Sequence, residues 1–461
     1  MGDLFRMLSS AAHSLETQRY ALDVTGQNIA NVNTPGYVRR TVQFAEIAPR
    51  DAWSAGAGVD IAAVQSARAP LIESRLRHEQ TTGSREAVVA DHLEAILAGF
   101  GLPGASLDAA LTRYYATYGE LALNPTSSSA RQQVITEAQS LGSAFGDLST
   151  QLQYARGAAD QELRDSLQEI NALAAELAHL NTAIAGAAPG ALESLRDQQA
   201  VVLSSLTALA DINVIQGDDG AVNVAIGNGR ALVVGGNVYD LTASAMPPLG
   251  FAAILTDGAD VTTDITAEIS GGRVGGLLRM RDTMVPAYVQ QLDQLAHGIV
   301  ADVNTLTSGG FDLDGNAGQA LFNPIGAVAG AAALVSVNGA VAANVRLVVA
   351  SGAPAAGNND VARAIAALQD VPVTGGSARP ADAWGDLVYR VATDARSARE
   401  IANGTEEVVH QLSMLRDQIS GVSLDEEAAM LMRFQRSYEA NARFFQVADR
   451  ALEMLMSLAG R

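Results

Sequence analysis

The chain has 461 residues, 50 acidic and 30 basic side chains, a formal net charge of −20 and no cysteine. Disulfide scaffolds and thiolate metal sites are excluded. An acidic chain with no basic block is repelled by phosphate backbones and anionic lipid, so neither nucleic acid nor membrane insertion is expected. Hydrophobic residues make up 48% of the sequence, enough to bury real cores, and the length implies about two to four domains.

The first thirty residues carry Leu4, Leu8, Ala11, Leu15, Gln18, Leu22, Thr25 and Ile29 in steps of four and three. That is a heptad seam, which keeps one helix stripe against a partner. The segment lacks a basic start, apolar core and small-residue cleavage site, so a cleaved secretory signal is not expected. Nor does any apolar run reach the ~20 residues of a membrane helix. The helix should stop near Asn28 and Asn31. Thr34 precedes Pro35 and is pushed to extended backbone. Pro35-Gly36 suits a type II turn, where glycine supplies the positive φ, and Tyr37 to Val42 continues extended.

Heptads run from Val134 to Ala159, shift, and continue from Leu163 to Ile184. Gly186, Pro189 and Gly190 break the helix, and Leu192 to Leu209 returns, so the pattern predicts a long antiparallel helical hairpin. INVIQ, AVNVAIG, RALVVGG and NVYDLTA follow from Ile212, separated by Asp218-Asp219-Gly220 and Gly235-Gly236, and read as short strands. Helix is expected again from about Gly275 to Leu306. A Gly/Ala/Asn-rich section, 308–378, contains strand-like LVSVN and VRLVVAS and a short helix DVARAIAALQ. Helix resumes from Trp384 to about Ile419.

The last segment carries a second seam: Leu431, Phe434, Tyr438, Asn441, Phe445, Ala448, Leu452 and Leu455. Beside it runs another stripe of Ala440, Phe444, Val447, Ala451, Met454 and Leu458. The combined face is wider than a two-stranded coil covers and reads as an interaction surface. Gln18, Thr25 and Asn441 interrupt the seams at positions where polar residues fix register at a cost in stability. Ser423 with Glu426 forms a capping-box pattern, and Asp425, Glu426 and Glu427 suit the positive end of a helix dipole.

The run containing Asn28, Ile29, Ala30, Asn31, Val32, Asn33, Thr34, Pro35, Gly36 and Tyr37 resembles the N-terminal signature of flagellar rod, hook and hook-associated proteins. The run from Ser420 to Glu427, with FQRSYEANA from Phe434, is similar to the hook-associated protein 1 family, which forms the first hook–filament junction. Arg196-Asp197-Gln198-Gln199, GGRVGGLLRMRD and FDLDGNAGQALF resemble that family's middle section. The resemblance implies an extracellular structural subunit of the bacterial flagellum, exported through the flagellar type III apparatus without a cleaved signal. It implies an N-terminal helix packing axially through Leu4, Leu8, Leu15, Leu22 and Ile29. It gives the C-terminal helix, including Phe444, Phe445, Val447, Leu452, Met454, Leu455 and Leu458, to neighbouring subunits and, before assembly, to a cytosolic chaperone. Expected neighbours are the hook protein, the second junction protein and further copies of the chain. The alternative is a hook or distal rod subunit, which the long hairpin from Val134 to Leu209 argues against.

The expected architecture is mainly α with an inserted β domain. Residues 1–60 with 420–461 form a terminal coiled-coil domain. Residues 61–211, 271–307 and 380–419 form a helical body, and 212–270 with 308–379 form a β-rich domain at its far end. No enzyme, cofactor or metal site is expected. His13, His78, His92, His179, His297 and His410 do not pair at ligand spacing. Asp312, Asp314 and Asn316 resemble the start of a calcium loop, but Ala317 and Asn323 stand where glycine and glutamate are needed, so a tight turn is expected.

Overall fold

The computed structural model describes residues 2–34, 36–48, 58–101, 106–217, 220–247, 250–257 and 262–459. The chain opens with α1 (Gly2–Ala30) and a bulged antiparallel hairpin, β1 (Arg40–Glu46) and β2 (Val59–Ser66). Four helices follow: α2 (Pro70–Gly99), α3 (Leu107–Leu123), α4 (Ser128–Ala185) and α5 (Pro189–Leu209). Prolines open α2 and α5, where a missing amide costs nothing. The Ser127 hydroxyl caps α4 by accepting from the Ala130 amide at 3.2 Å. The helical hairpin therefore forms where its heptads and its Gly/Pro break place it.

Next come two antiparallel sheets. One is ordered β3 (Ile212–Gln216), β4 (Val222–Ile226), β5 (Arg230–Val234), β6 (Asn237–Val238). The other is β7 (Leu241–Met246), β8 (Phe251–Asp257), β9 (Thr262–Asp264). NVYDLTA, one strand by pattern, is divided between the two sheets. Asp218 and Asp219, expected in the first turn, lie outside the described residues.

The sheets lie along the C-terminal half of α4, held by buried and half-buried polar side chains. Asn181 donates to the Val222 and Gly235 carbonyls, Asn171 donates to the Leu241 carbonyl, and Asp160 accepts the Ala252 amide at 2.7 Å. The expected far-end placement rests on the order of helical and strand sections along the chain, which carries no information on these contacts.

Helices α6 (Gly272–Arg279) and α7 (Val285–Ser308) are joined by a π-helical turn. Gly276 in the GGRVGG run is pressed on α2: a Cβ there would lie 2.4 Å from Val88 Cγ1 and 2.6 Å from the Arg85 carbonyl oxygen.

The section 308–379 is not the strand-bearing region its β-branched runs suggest. It holds α8 (Ala331–Leu334), α9 (Gly339–Ala343) and α10 (Asp360–Ala367), and its β structure is confined to isolated bridges such as Phe322 with Val337. A strand needs a neighbour along its length. Here LVSVN and VRLVVAS spend their backbone groups on caps and loops. Buried Asp293 accepts the Gly330 and Ala332 amides, and buried Arg131 donates to the Val348 carbonyl. The section packs on α3, α4 and α7. Asp312 accepts the amides of Asp314 and Asn316, the expected tight turn.

Last come α11 (Pro380–Ser420), running back along α2, and α12 (Leu424–Ala459), which packs on α1. Arg399 bridges Asp91 and Glu94, and the Phe100 and Trp384 rings stand 5.3 Å apart. The core is continuous through the body: Leu93, Tyr114, Phe145, Leu163, Ile170, Leu206, Leu277 and Val391 are all fully buried.

Candidate functional site at the root of the terminal helices

The signature run ends α1 and turns the chain into the hairpin, and its polar side chains gather there. Asn31 donates to the Gln27 carbonyl, Thr34 donates to Asn31 Oδ1, and the Tyr37 amide donates to the Thr34 carbonyl. Gly36 has φ +79°, the positive value expected of it. It also lies against α5, where an added Cβ would sit 2.7 Å from Val201 Cγ2. Pro35 lies outside the described residues, and Asn33 is exposed.

Asn28, only 1% exposed, is the centre. Its amide nitrogen donates to the Arg40 carbonyl at 2.9 Å and to Glu427 Oε2 at 3.0 Å. Its oxygen accepts the Tyr37 hydroxyl at 2.8 Å and the Arg40 amide at 3.1 Å. One side chain thus ties the end of α1, the start of β1 and the first turn of α12. Arg39 completes the tie: its Nε donates to Glu427 at 2.7 Å, a second nitrogen pairs with Glu426 at 2.8 Å, and its amide donates to the Ser420 carbonyl.

A second layer reaches the body. Arg40 and Arg68 clasp the two oxygens of Asp197 on α5, at 2.9 and 2.6 Å. Arg40 also lies over the Tyr37 ring at 4.8 Å. Burial raises both the Asp197 carboxyl and the Tyr37 hydroxyl above their ordinary values, and the neighbouring guanidiniums only partly offset it. Ser66 donates to Glu193, which also pairs with Arg196.

The sequence placed Asn28 at a helix stop and Glu426 and Glu427 at the start of the last helix, each complete by itself. Their convergence has no local signal, because Asn28 and Glu427 are 399 positions apart.

Beyond this root the helix pair is thinly packed. Of the expected α12 seam, Phe434 and Ala448 are buried, Leu431, Asn441, Phe445 and Leu452 half-buried, and Tyr438 and Leu455 exposed. On α1, Leu8, Leu15, Leu22 and Ile29 are half-buried. The second α12 stripe faces solvent: Phe444 is 50% exposed, Val447 65% and Met454 63%. The side chains of Leu4 and Leu458 lie outside the described residues. Among the described residues there is no cluster of acidic or histidine side chains that would hold a metal. No helix is long and apolar enough to cross a membrane.

Both ends of the chain match flagellar families. The flagella basal body rod protein family matches residues 8–37, and the C-terminal domain of the flagellar basal body rod FlgEFG proteins matches residues 416–458. These two segments meet at the root just described and define a flagellar axial protein. The centre is more particular: residues 91–322 match the flagellar hook-associated protein FlgK helical domain. The chain belongs to this FlgK family of flagellar hook-associated proteins, structural components of the hook–filament junction.

It is 24% identical to flagellar hook-associated protein 1 of Bacillus subtilis over 100% of this chain and 99% of that protein. It is 25% identical to its Escherichia coli counterpart over 98% and 99%. The flagellar hook junction protein FlgK of Burkholderia pseudomallei superposes with a TM-score of 0.51 at 30% identity, covering 54% of this chain and 46% of that one.

Proposed function

We infer that this chain is the first subunit layer of the hook–filament junction, acting by packing and not by catalysis. In this reading α1 and α12 enter the axial tube beside the same helices of neighbouring copies. The hook protein lies below and the second junction protein above. The observation that carries it is the solvent-facing stripe of Phe444, Val447 and Met454 on a helix already paired through its other face. An apolar stripe of this kind is an assembly surface or an aggregation hazard. The chain is exported through the flagellar type III apparatus without a cleaved signal, and a cytosolic chaperone covers α12 beforehand. The Asn28–Glu427–Arg39 tie sets the position of the helix pair on the body.

Deletion of the gene, followed by electron microscopy and assay of shed flagellin, tests the assignment. Hooks of normal length without filaments, with flagellin in the medium, are expected. Absent hooks would assign the chain to the rod or hook, and normal motile flagella would overturn the reading.

A further inference from the structure

Asparagine followed by glycine occurs three times in the chain: Asn228-Gly229, Asn338-Gly339 and Asn403-Gly404. The main-chain nitrogen that follows an asparagine can attack the side-chain amide carbon. Glycine favours that attack, because it has no Cβ in the way and leaves the main chain free to turn. The fold treats the three pairs differently.

Asn403 is exposed, but its pair lies inside α11, where helical hydrogen bonds hold the main chain. Asn338 is half-buried and its side chain is tied at both ends. Its Oδ1 accepts the Ala340 amide at 3.0 Å, and its Nδ2 donates to the Ala320 carbonyl at 3.2 Å. Asn228 has neither restraint. It is the middle residue of the turn between β4 and β5, it is exposed, and its side chain makes no hydrogen bond among the described residues. Gly229 has φ +96°, and a Cβ there would meet nothing within 4 Å. Its amide is held only by the Ile226 carbonyl at 3.3 Å, a long bond.

We propose that Asn228 is a site of spontaneous modification, deamidating through a cyclic imide to aspartate and isoaspartate. The Gly229 nitrogen bonds to Cγ of Asn228, the Cγ–Nδ2 bond breaks, and the proton of that nitrogen leaves with the side-chain amine as ammonia. Water then opens the ring at one carbonyl or the other. Nothing is oxidised or reduced, and water is the only co-reactant. Either product adds a negative charge, and isoaspartate also lengthens the main chain by one carbon. That carbon falls in a turn pinned on both sides by Glu268. A Cβ on Gly227 would sit 2.7 Å from the Glu268 carbonyl oxygen, and Arg230 pairs with the Glu268 carboxylate at 2.9 and 3.0 Å. The inference is independent of the junction reading, since it concerns the chain alone in water.

Incubation of the purified full chain in warm, mildly alkaline buffer tests it, with peptide mass spectrometry and isoaspartate detected by an isoaspartyl methyltransferase. The peptide carrying Asn228 should gain about one dalton, faster at higher pH because the attacking nitrogen must lose its proton. Asn338 and Asn403 should lag by about tenfold or more, since each must first open locally. In guanidinium chloride, where the fold no longer protects them, the three should react within about threefold of one another. Equal rates in the folded chain, or an Asn228 that stays intact there while the unfolded chain reacts, would overturn the proposal. A lag that persisted in the unfolded chain would trace the preference to neighbouring residues and overturn its structural basis.

Discussion

Helices α4 and α12 are both long, amphipathic and written in heptads, yet they end in opposite environments. Along α4, Phe145, Leu152, Leu163, Ile170 and Leu177 are wholly buried. Along α12, among the described side chains, only Phe434 and Ala448 are buried hydrophobics, while Phe444, Val447, Met454 and Met456 face solvent. One helix has its partners in its own chain, and the other meets a single partner helix. A heptad thus records that a stripe is to be covered, without recording by which molecule. The terminal pair packs along its length on a narrow strip that includes Ala11, Ala21, Val24, Phe434 and Ala448, and its buried polar bonds gather at the root.

Removing α12 from Met430 onward probes the contrast hardest. Assembly should be abolished while the isolated chain keeps the cooperative melting of its body, read by electron microscopy and circular dichroism. Loss of the body's transition would mean that the two regions fold as one.

Phe145→Ala should destabilise the isolated chain by about 3–5 kcal/mol in chemical denaturation, the usual cost of emptying a buried aromatic site.

At the root, Asn28→Ala and Glu427→Gln should each cost about 2 kcal/mol, with coupling above about 0.5 kcal/mol in a double-mutant cycle. Additive effects would dissolve the tie between them.

Phe444→Ala should change the isolated chain by less than about 0.5 kcal/mol and still reduce filament retention on hooks. A retention assay that showed no loss would remove Phe444 from the assembly face.

The smallest effect concerns pH. Burial pushes the Asp160 carboxyl up, but the Ala252 amide and the Arg281 and Arg164 guanidiniums outweigh it and hold it below its ordinary value. A depressed carboxylate contributes fully above the unfolded value of about 4 and loses that contribution as pH falls through the folded one. The melting difference between the native chain and Asp160→Asn should therefore shrink on acidification. A constant difference would contradict the ion-pair origin.

Most helices were legible in the sequence because their signals are local: heptads from Val134 to Ile184, the Gly186–Pro189 break, and the Val-rich strands from Ile212. The section 308–379 was not. LVSVN and VRLVVAS have strand composition, but loop partners such as Asn323 and Leu321, and Arg131 from a distant helix, take up the backbone groups a ladder needs. The root was legible in its parts only. Asn28 and Glu427 each have a sufficient local explanation, and burial by distant segments is what joins them with Asp197 in one network.

The length of α4 gives the root a mechanical meaning. At about 1.5 Å per residue its 58 residues span roughly 87 Å. Asp197 anchors the signature turn to α5, beside the last turns of this strut, where Gln199 donates to Asn181. A tilt of about 5° there would swing the Ser128 end through roughly 8 Å, more than one helical turn. Any change in the seating of the terminal helices that tilted α4 at this end would therefore be amplified at its Ser128 end.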